Sequence, residues 1–119
     1  FLEVQISDNG AEIKSIKYLG KDYLHNSDPL YWGRSAPLLW PNIGTIKNGA
    51  ATIKGVSYPM KKHGFLRDIE MNKVSQTENS LVLSVEATPE TQEPKQLDAL
   101  ISVASIVILL SLLQPENIY

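Results

Sequence analysis

Seven prolines spread along the 119 residues limit what this chain can fold into more than any other feature. A proline inside a helix removes a backbone hydrogen bond and clashes with the preceding turn, so prolines at this spacing would break any long helix. They stand at positions 29, 37, 41, 59, 89, 94 and 115. The chain is therefore predicted to consist mainly of strands and turns.

The apolar residues repeat with a period of two, which is typical of strands with one buried face. The residues predicted to share a face are Leu2, Val4 and Ile6 near the start, and Leu81, Leu83 and Val85 later in the chain. Turn signals separate such short runs at Asp8-Asn9-Gly10, Gly20-Lys21-Asp22, Asn48-Gly49, Gly55 and Glu78-Asn79. The sequence thus predicts an all-β fold, a β-sandwich or meander of successive hairpins rather than βαβ units.

Composition excludes several classes of function. Eleven Lys plus Arg against thirteen Asp plus Glu give a net charge of −2, which provides no field to attract nucleic acid or an anionic membrane surface. The absence of cysteine excludes disulfide scaffolds, cysteine-based zinc sites and thiol nucleophiles, and it fits a reducing compartment. With no basic leader at the start, the sequence predicts a cytoplasmic protein that binds neither nucleic acid nor membrane.

Residues 100–113, "LISVASIVILLSLL", form an uncharged run behind the polar, proline-bearing connector "TPETQEPKQ" at 88–96. The run is shorter than the roughly 20 residues that a membrane-spanning helix needs, and it predicts buried strand structure. Two antiparallel strands would leave only Ala104-Ser105 for the turn, without the residues that tight hairpins favour. One long, fully buried strand is the alternative.

Aromatic residues and fixed cations are concentrated in the middle of the chain. The segment "DPLYWGRSAPLLWPNIG" at 28–44 is followed by "HGFLRD" at 63–68. Rings and cations suit a polar ligand with apolar faces, such as a sugar, whose C–H faces stack while its hydroxyls or phosphates accept hydrogen bonds. The alternative is structural, with Trp32 and Trp40 in the core and Arg34 and Arg67 in surface ion pairs, Arg67 with Asp68 or Glu70.

Two stretches resemble the amino-terminal part of the aldose 1-epimerase (galactose mutarotase) family, in particular its bacterial LacX-like branch. They are "GAEIKSIKYLGKDYLHNSDPLYWGRSAPLLWPNIGTIKNG" at 10–49 and "YPMKKHGFLRD" at 58–68. The shared pieces are a Gly-Ala-Glu opening, a Trp-Gly-Arg-Ser-Ala-Pro block, a Pro-x-x-Gly turn before Lys-Asn-Gly, and a His-Gly-Phe-x-Arg block. The resemblance runs from about Gly10 to Ala87.

The resemblance implies a large twisted β-sandwich that binds a hexose or hexose phosphate and interconverts its α and β anomers without a metal or organic cofactor. In that mechanism a histidine protonates the ring oxygen and a glutamate takes the proton from the anomeric hydroxyl. Both residues lie beyond the matched region, so no catalytic residue is assigned within this chain. Residues 1–119 are expected to be the amino-terminal part of one mutarotase-like domain.

The resemblance also implies which residues contact the sugar. His63 would bind a hydroxyl without transferring the proton, and a structural histidine tied to nearby backbone is the alternative. Arg67 would lie at the cleft edge, where relatives acting on phosphorylated hexoses use a cation, and Arg34 and Trp40 would also contribute. Thr45 stands where many relatives have a sugar-contacting arginine, and it keeps one hydroxyl without the forked donors.

Three interpretations follow. The chain is part of a mutarotase-like enzyme, or of a sugar-binding protein of the same fold without catalysis, which Thr45 favours, or it is a structural β domain with no ligand. His25 follows a predicted hairpin, has no expected ligand contact, and is predicted to be a loop histidine.

Overall fold

The computed structural model describes residues 2–86 and, for its backbone, the strand at 106–111. Its eight strands are β1 (Leu2–Ile6), β2 (Ile13–Tyr18), β3 (Lys21–Asp22), β4 (Ala50–Ile53), β5 (Val56–Pro59), β6 (Asn72–Gln76), β7 (Ser80–Val85) and β8 (Ile106–Ser111). Two short 3-10 turns occur at Lys47–Gly49 and Leu66–Asp68. The part of the chain that the structure describes has no α-helix, and the predicted all-β class is confirmed.

The strands form antiparallel sheets in the order β1-β2-β3, β4-β5 and β6-β7-β8. Within each sheet, neighbouring strands are consecutive along the chain. The β4–β5 hairpin turns on Lys54 and Gly55, whose φ angles of 49° and 80° suit the tight turn predicted at this glycine. The predicted hairpins are therefore observed between β1 and β2, β2 and β3, β4 and β5, and β6 and β7.

The core is made of residues from the first hairpin turn, segment 66–71 and strand β7. Its buried members are Ala11, Leu66, Met71, Leu83 and Val85. Along β1, half-buried residues alternate with exposed Glu3 and Gln5, as the period of two predicted. Segment 66–71 thus shares one core with the first hairpin turn and β7.

The apolar run predicted as strand contributes β8, which pairs antiparallel with β7 from Val85↔Ile106 to Ser80↔Ser111. The strand prediction is confirmed for these six residues. The possible turn at 104–105, the remainder of the run and the polar connector at 88–96 lie outside the described residues. Within the described residues, no helix has the length and apolar character to cross a membrane.

Candidate functional site

The "HGFLRD" segment is held against Trp40 by backbone contacts. Trp40 and Gly64 form a parallel bridge, and the Trp40 carbonyl accepts hydrogen bonds from the N–H groups of Phe65 at 3.0 Å and Leu66 at 3.3 Å. Gly64 has a φ of +72°, and a Cβ there would lie 2.0 Å from the Trp40 carbonyl oxygen. Position 64 therefore requires glycine both for its conformation and for the close approach to Trp40.

His63 is tied to Gly44 by two reciprocal hydrogen bonds, which are the contact with nearby backbone that the structural interpretation of this histidine predicts. The His63 N–H donates to the Gly44 carbonyl at 2.9 Å, and the Gly44 N–H donates to His63 Nδ1 at 3.0 Å. Because Nδ1 accepts, the neutral imidazole carries its proton on Nε2. The half-buried ring has no protein partner for Nε2 among the described residues, so this atom can donate to a ligand hydroxyl.

Arg67 is half-buried beside the same loop. Its Nη2 donates to the Lys62 carbonyl at 3.4 Å, while its Nε is buried without a hydrogen-bond partner within the described part of the chain. A buried donor without an acceptor costs free energy, and because Nε is itself buried, a ligand oxygen reaches it only if the surrounding loop moves.

Arg34 directs its guanidinium at protein groups. Nη1 donates to the Arg67 carbonyl at 3.1 Å, and Nη2 donates to Asp68 Oδ1 at 2.5 Å. Nη1 also lies 3.5 Å from Glu12 Oε2. Asp68 therefore pairs with Arg34 rather than with Arg67, and these contacts favour the ion-pair interpretation of Arg34. Its contact with a sugar stays a prediction.

Glu12 is a buried charged residue that sequence reasoning did not single out. It is 4% exposed, and its Oε1 accepts hydrogen bonds from the Ser35 N–H at 2.5 Å and from Lys14 Nζ at 3.3 Å. Burial acts to raise the pKa of this carboxyl. The hydrogen bond from Ser35, the hydrogen bond and charge of Lys14, and the charge of Arg34 outweigh burial and hold the pKa below its ordinary value. The available signal was the glutamate of the Gly-Ala-Glu opening, a charge among apolar residues.

The two tryptophans have different surroundings. Trp40 packs against the core, with its ring edge-on to Phe65 at a centroid distance of 5.5 Å and an interplanar angle of 90°. Trp32 is half exposed and stacks on the loop residue His25. Contacts to the backbone thus connect the segments that carry Trp40, His63, Arg67 and Arg34. Thr45 is exposed next to Gly44.

A cleft of about 350 Å³ opens elsewhere, between β1 and the β6–β7 hairpin, with Gln5, Lys73 and Glu78 among its lining residues. None of the predicted sugar-contact residues lines it. We place the candidate site at His63 rather than in this cleft because a sugar needs converging donors and a ring face, not volume alone. The described residues contain no group of three or more side chains that could hold a metal ion.

No family model matches this chain, but comparison with known proteins identifies relatives. The plasmid form of protein LacX from Lactococcus lactis subsp. lactis is 33% identical over 96 residues, which cover 76% of this chain and 32% of LacX. A solved galactose mutarotase related enzyme from Lactobacillus acidophilus superimposes with a TM-score of 0.71 at 35% identity, covering 76% of this chain and 31% of that one. Over 76% of its length, the chain is similar to LacX and to this galactose mutarotase related enzyme.

A galactose mutarotase-like protein from Lactobacillus casei superimposes equally well, with a TM-score of 0.71 at 27% identity over 76% of this chain and 32% of that one. The galactose mutarotase-like fold expected from the resemblance is therefore confirmed. The chain spans about a third of the length of the LacX proteins that it matches.

Proposed function

We propose that the protein carrying this chain binds a hexose or hexose phosphate and interconverts its α and β anomers. The observation that carries the proposal is the pair of reciprocal hydrogen bonds between Gly44 and His63. Because Nδ1 accepts one of these bonds, the single N–H of the neutral imidazole is on Nε2, which has no partner among the described residues. The kinship with a galactose mutarotase related enzyme supports a sugar as the ligand.

The proposed reaction needs an acid and a base on opposite sides of the acetal. The acid protonates the ring oxygen while the base removes the proton from the anomeric hydroxyl, and the bond between C1 and the ring oxygen breaks. Rotation about C1–C2 and reversal of these steps give the other anomer. We assign neither the acid nor the base to this chain, whose residues bind and orient the sugar.

Within the binding role, His63 Nε2 donates to a sugar hydroxyl and the Trp40–Phe65 pair provides apolar surface beside it. The half-buried guanidinium of Arg67 provides a positive charge that suits a phosphate group. The cytoplasm, where hexose phosphates are available, agrees with the cysteine-free sequence. Residues 1–119 act in this proposal as one part of a single mutarotase-like domain.

The second candidate function is sugar binding without catalysis. The exposed Thr45 favours it, because a threonine hydroxyl cannot replace the forked, charged donors of the arginine expected there. The two functions share the binding site and differ only in turnover.

Calorimetric titration of the full-length protein with galactose, glucose and glucose 6-phosphate tests the site. His63→Ala should weaken every hexose by about 1–3 kcal/mol, because a ligand hydroxyl loses its partner in a partly desolvated site. Arg67→Ala should weaken chiefly glucose 6-phosphate. His25→Ala is the matched control and should leave all three affinities unchanged.

Affinities corrected for the folded fraction that stay unchanged in both site variants would remove "HGFLRD" from the site. Polarimetry of freshly dissolved α-glucose, α-galactose and α-glucose 6-phosphate then separates the two functions. Turnover above the buffer rate supports the enzyme, and binding without turnover supports the non-catalytic alternative.

A further inference from the structure

Glu12 has no part in the sugar contacts proposed above, yet it is the most buried acidic side chain described, at 4% exposure for the residue. A buried carboxylate is retained only where hydrogen bonds and opposite charges compensate its loss of water. Glu12 receives the Ser35 N–H and Lys14 Nζ on Oε1, and its Oε2 lies 3.5 Å from Arg34 Nη1. Its surroundings therefore stabilise the charged form and fix the place of Arg34.

Arg34 transmits this constraint to the 3-10 turn Leu66–Asp68. One nitrogen of its guanidinium bonds the Arg67 carbonyl, and the other bonds the Asp68 carboxylate. A planar fork that engages the backbone and a side chain of adjacent residues fixes both the position and the direction of the turn.

Arg67 connects this turn to the candidate site. The Arg67 side chain leaves the backbone next to the carbonyl that Arg34 holds, and its Nη2 bonds the Lys62 carbonyl, one residue before His63. A displacement of the turn would therefore move the unsatisfied Nε of Arg67 and the start of the His63 loop.

The first hairpin holds the same segment by its backbone. The Gly10 N–H donates to the Ile69 carbonyl at 2.7 Å, and the Met71 N–H donates to the Asp8 carbonyl at 2.9 Å. A Cβ at Gly10 would lie 2.5 Å from the Arg67 carbonyl oxygen, the atom that Arg34 also contacts. The hairpin and its glutamate thus form a rigid support directly behind the turn.

We propose that Glu12 is a positioning residue, which through Arg34 fixes the turn that presents Arg67 beside His63. The expected effect on affinity rests on the proposed sugar-binding function, because Glu12 would hold that site in its binding geometry. Arg67 is one contact closer to Glu12 than the His63 loop is, so phosphate recognition should depend on Glu12 more strongly than recognition of the unphosphorylated hexose.

The test compares two carboxylates in the full-length protein. Glu12→Gln keeps an acceptor for the Ser35 N–H and removes the charge that orients Arg34. Asp22→Asn is the matched control, because Asp22 accepts from Ser15 Oγ at 2.6 Å and from two backbone N–H groups in the β2–β3 hairpin and has no described contact with the 66–68 turn.

Per folded molecule, Glu12→Gln should lower the affinity for glucose 6-phosphate by about tenfold and that for glucose by less, since small displacements of a site by remote groups cost up to roughly 100-fold. Asp22→Asn should change neither affinity. Arg34→Lys should match Glu12→Gln, and the double variant should lose no more than either single one, because both act through the same contacts. A variant that loses stability while keeping both affinities would reduce Glu12 to a structural role and overturn the proposal.

Nitrogen-15 NMR of the sugar-free protein separates this proposal from the proposed function. Glu12→Gln should shift the Arg67 Nε–H and Gly44 N–H signals, and Asp22→Asn should leave both in place. If the wild type binds no sugar, the proposed function fails while these shifts still support positioning. Unshifted signals in Glu12→Gln refute positioning whether or not the sugars bind.

Discussion

Trp32 and Trp40 occur in one aromatic, proline-bearing segment, and the structure treats them differently. The Trp40 ring meets Phe65, and its carbonyl accepts two N–H groups from the "HGFLRD" segment. The Trp32 ring stacks on His25 at 6.2 Å with an interplanar angle of 17°, and its carbonyl accepts from His25 Nε2 at 2.8 Å. Trp40 thus joins distant parts of the chain, whereas Trp32 closes a local loop.

The difference teaches that composition alone does not select the tryptophan that becomes part of the core. A ring gains most where contacts from distant segments remove it from water, because buried apolar area contributes about 25 cal/mol per Å². Trp40 packs against the core cluster, while Trp32 remains 50% exposed. The two residues should therefore respond differently to substitution, both of the rings and of the groups that hold them.

The largest effect is expected where the Trp40 backbone meets Gly64. Gly64→Ala should destabilise the full-length protein by about 4 kcal/mol or more, because the new Cβ would lie 2.0 Å from the Trp40 carbonyl oxygen at a left-handed φ. Denaturant unfolding monitored by fluorescence measures the change.

Gly20→Ala is the matched control for that substitution. Gly20 has a φ of +77° and nothing within 4 Å of an added Cβ, so it isolates the conformational cost of about 1–2 kcal/mol. Equal losses at the two glycines would contradict the close approach between Gly64 and Trp40.

The next largest effect concerns the Trp40 ring. Trp40→Ala should cost about 3 kcal/mol, at the low end of the range for large aromatic truncations because the ring is only half-buried. Trp40→Phe should recover part of this loss, since a smaller ring can still meet Phe65. Recovery is measured by denaturant midpoint, and a Phe variant no better than Ala would show that the contact with Phe65 contributes little.

Local sequence patterns predicted the strands but did not distinguish the two tryptophans. The period of two and the turn residues predicted the strands because both signals are local. The choice between Trp32 and Trp40 depends on residues far along the chain, which no local pattern encodes.

Glu12 was missed for the same reason. Its partners Ser35 and Arg34 lie on a different segment, and only the fold brings them to the carboxylate. Arg34 was predicted as a sugar contact or an ion-pair partner from its type alone, and its three protein contacts emerged only with the backbone in place. Local pattern therefore predicted the fold class better than the geometry of the candidate site.

The stabilisation of the fold by the Glu12 carboxylate should depend on pH. Glu12 accepts a hydrogen bond from the N–H of Ser35, a residue between Trp32 and Trp40 in the sequence. The pKa of the Glu12 carboxyl is lowered from 4.5 in the folded state. The stabilisation by its charge is therefore complete above pH 4.5 and is lost as the pH falls through the folded-state pKa. The loss should be about 1.5 kcal/mol, the size of a charge-assisted hydrogen bond.

The measurement is the difference in unfolding free energy between wild type and Glu12→Gln from neutral pH to about pH 3. This difference should shrink on acidification below 4.5, because only the wild type carries the titrating carboxyl. Subtracting the variant cancels the other carboxylates, including Asp22, whose pKa is also lowered by hydrogen bonds from Ser15 and the Leu24 backbone. A difference that stays constant with pH would mean that the charge of Glu12 does not stabilise the fold.

The smallest effect is expected at Trp32. Trp32→Ala should cost less than about 1 kcal/mol, because the ring is half exposed and its described ring contact is a single stack on His25, while the loop is also held by backbone groups that the substitution leaves intact. The N–H groups of residues 31 and 32 both donate to the Asp28 carbonyl, at 3.1 and 2.8 Å. His25→Ala should give a similar small loss, and the double variant should add little, since both remove the same stack. A loss at Trp32 as large as that at Trp40, measured by the same denaturant titration, would show that the local loop is as much a part of the core as the Trp40 segment, and the contrast between the two tryptophans would fail.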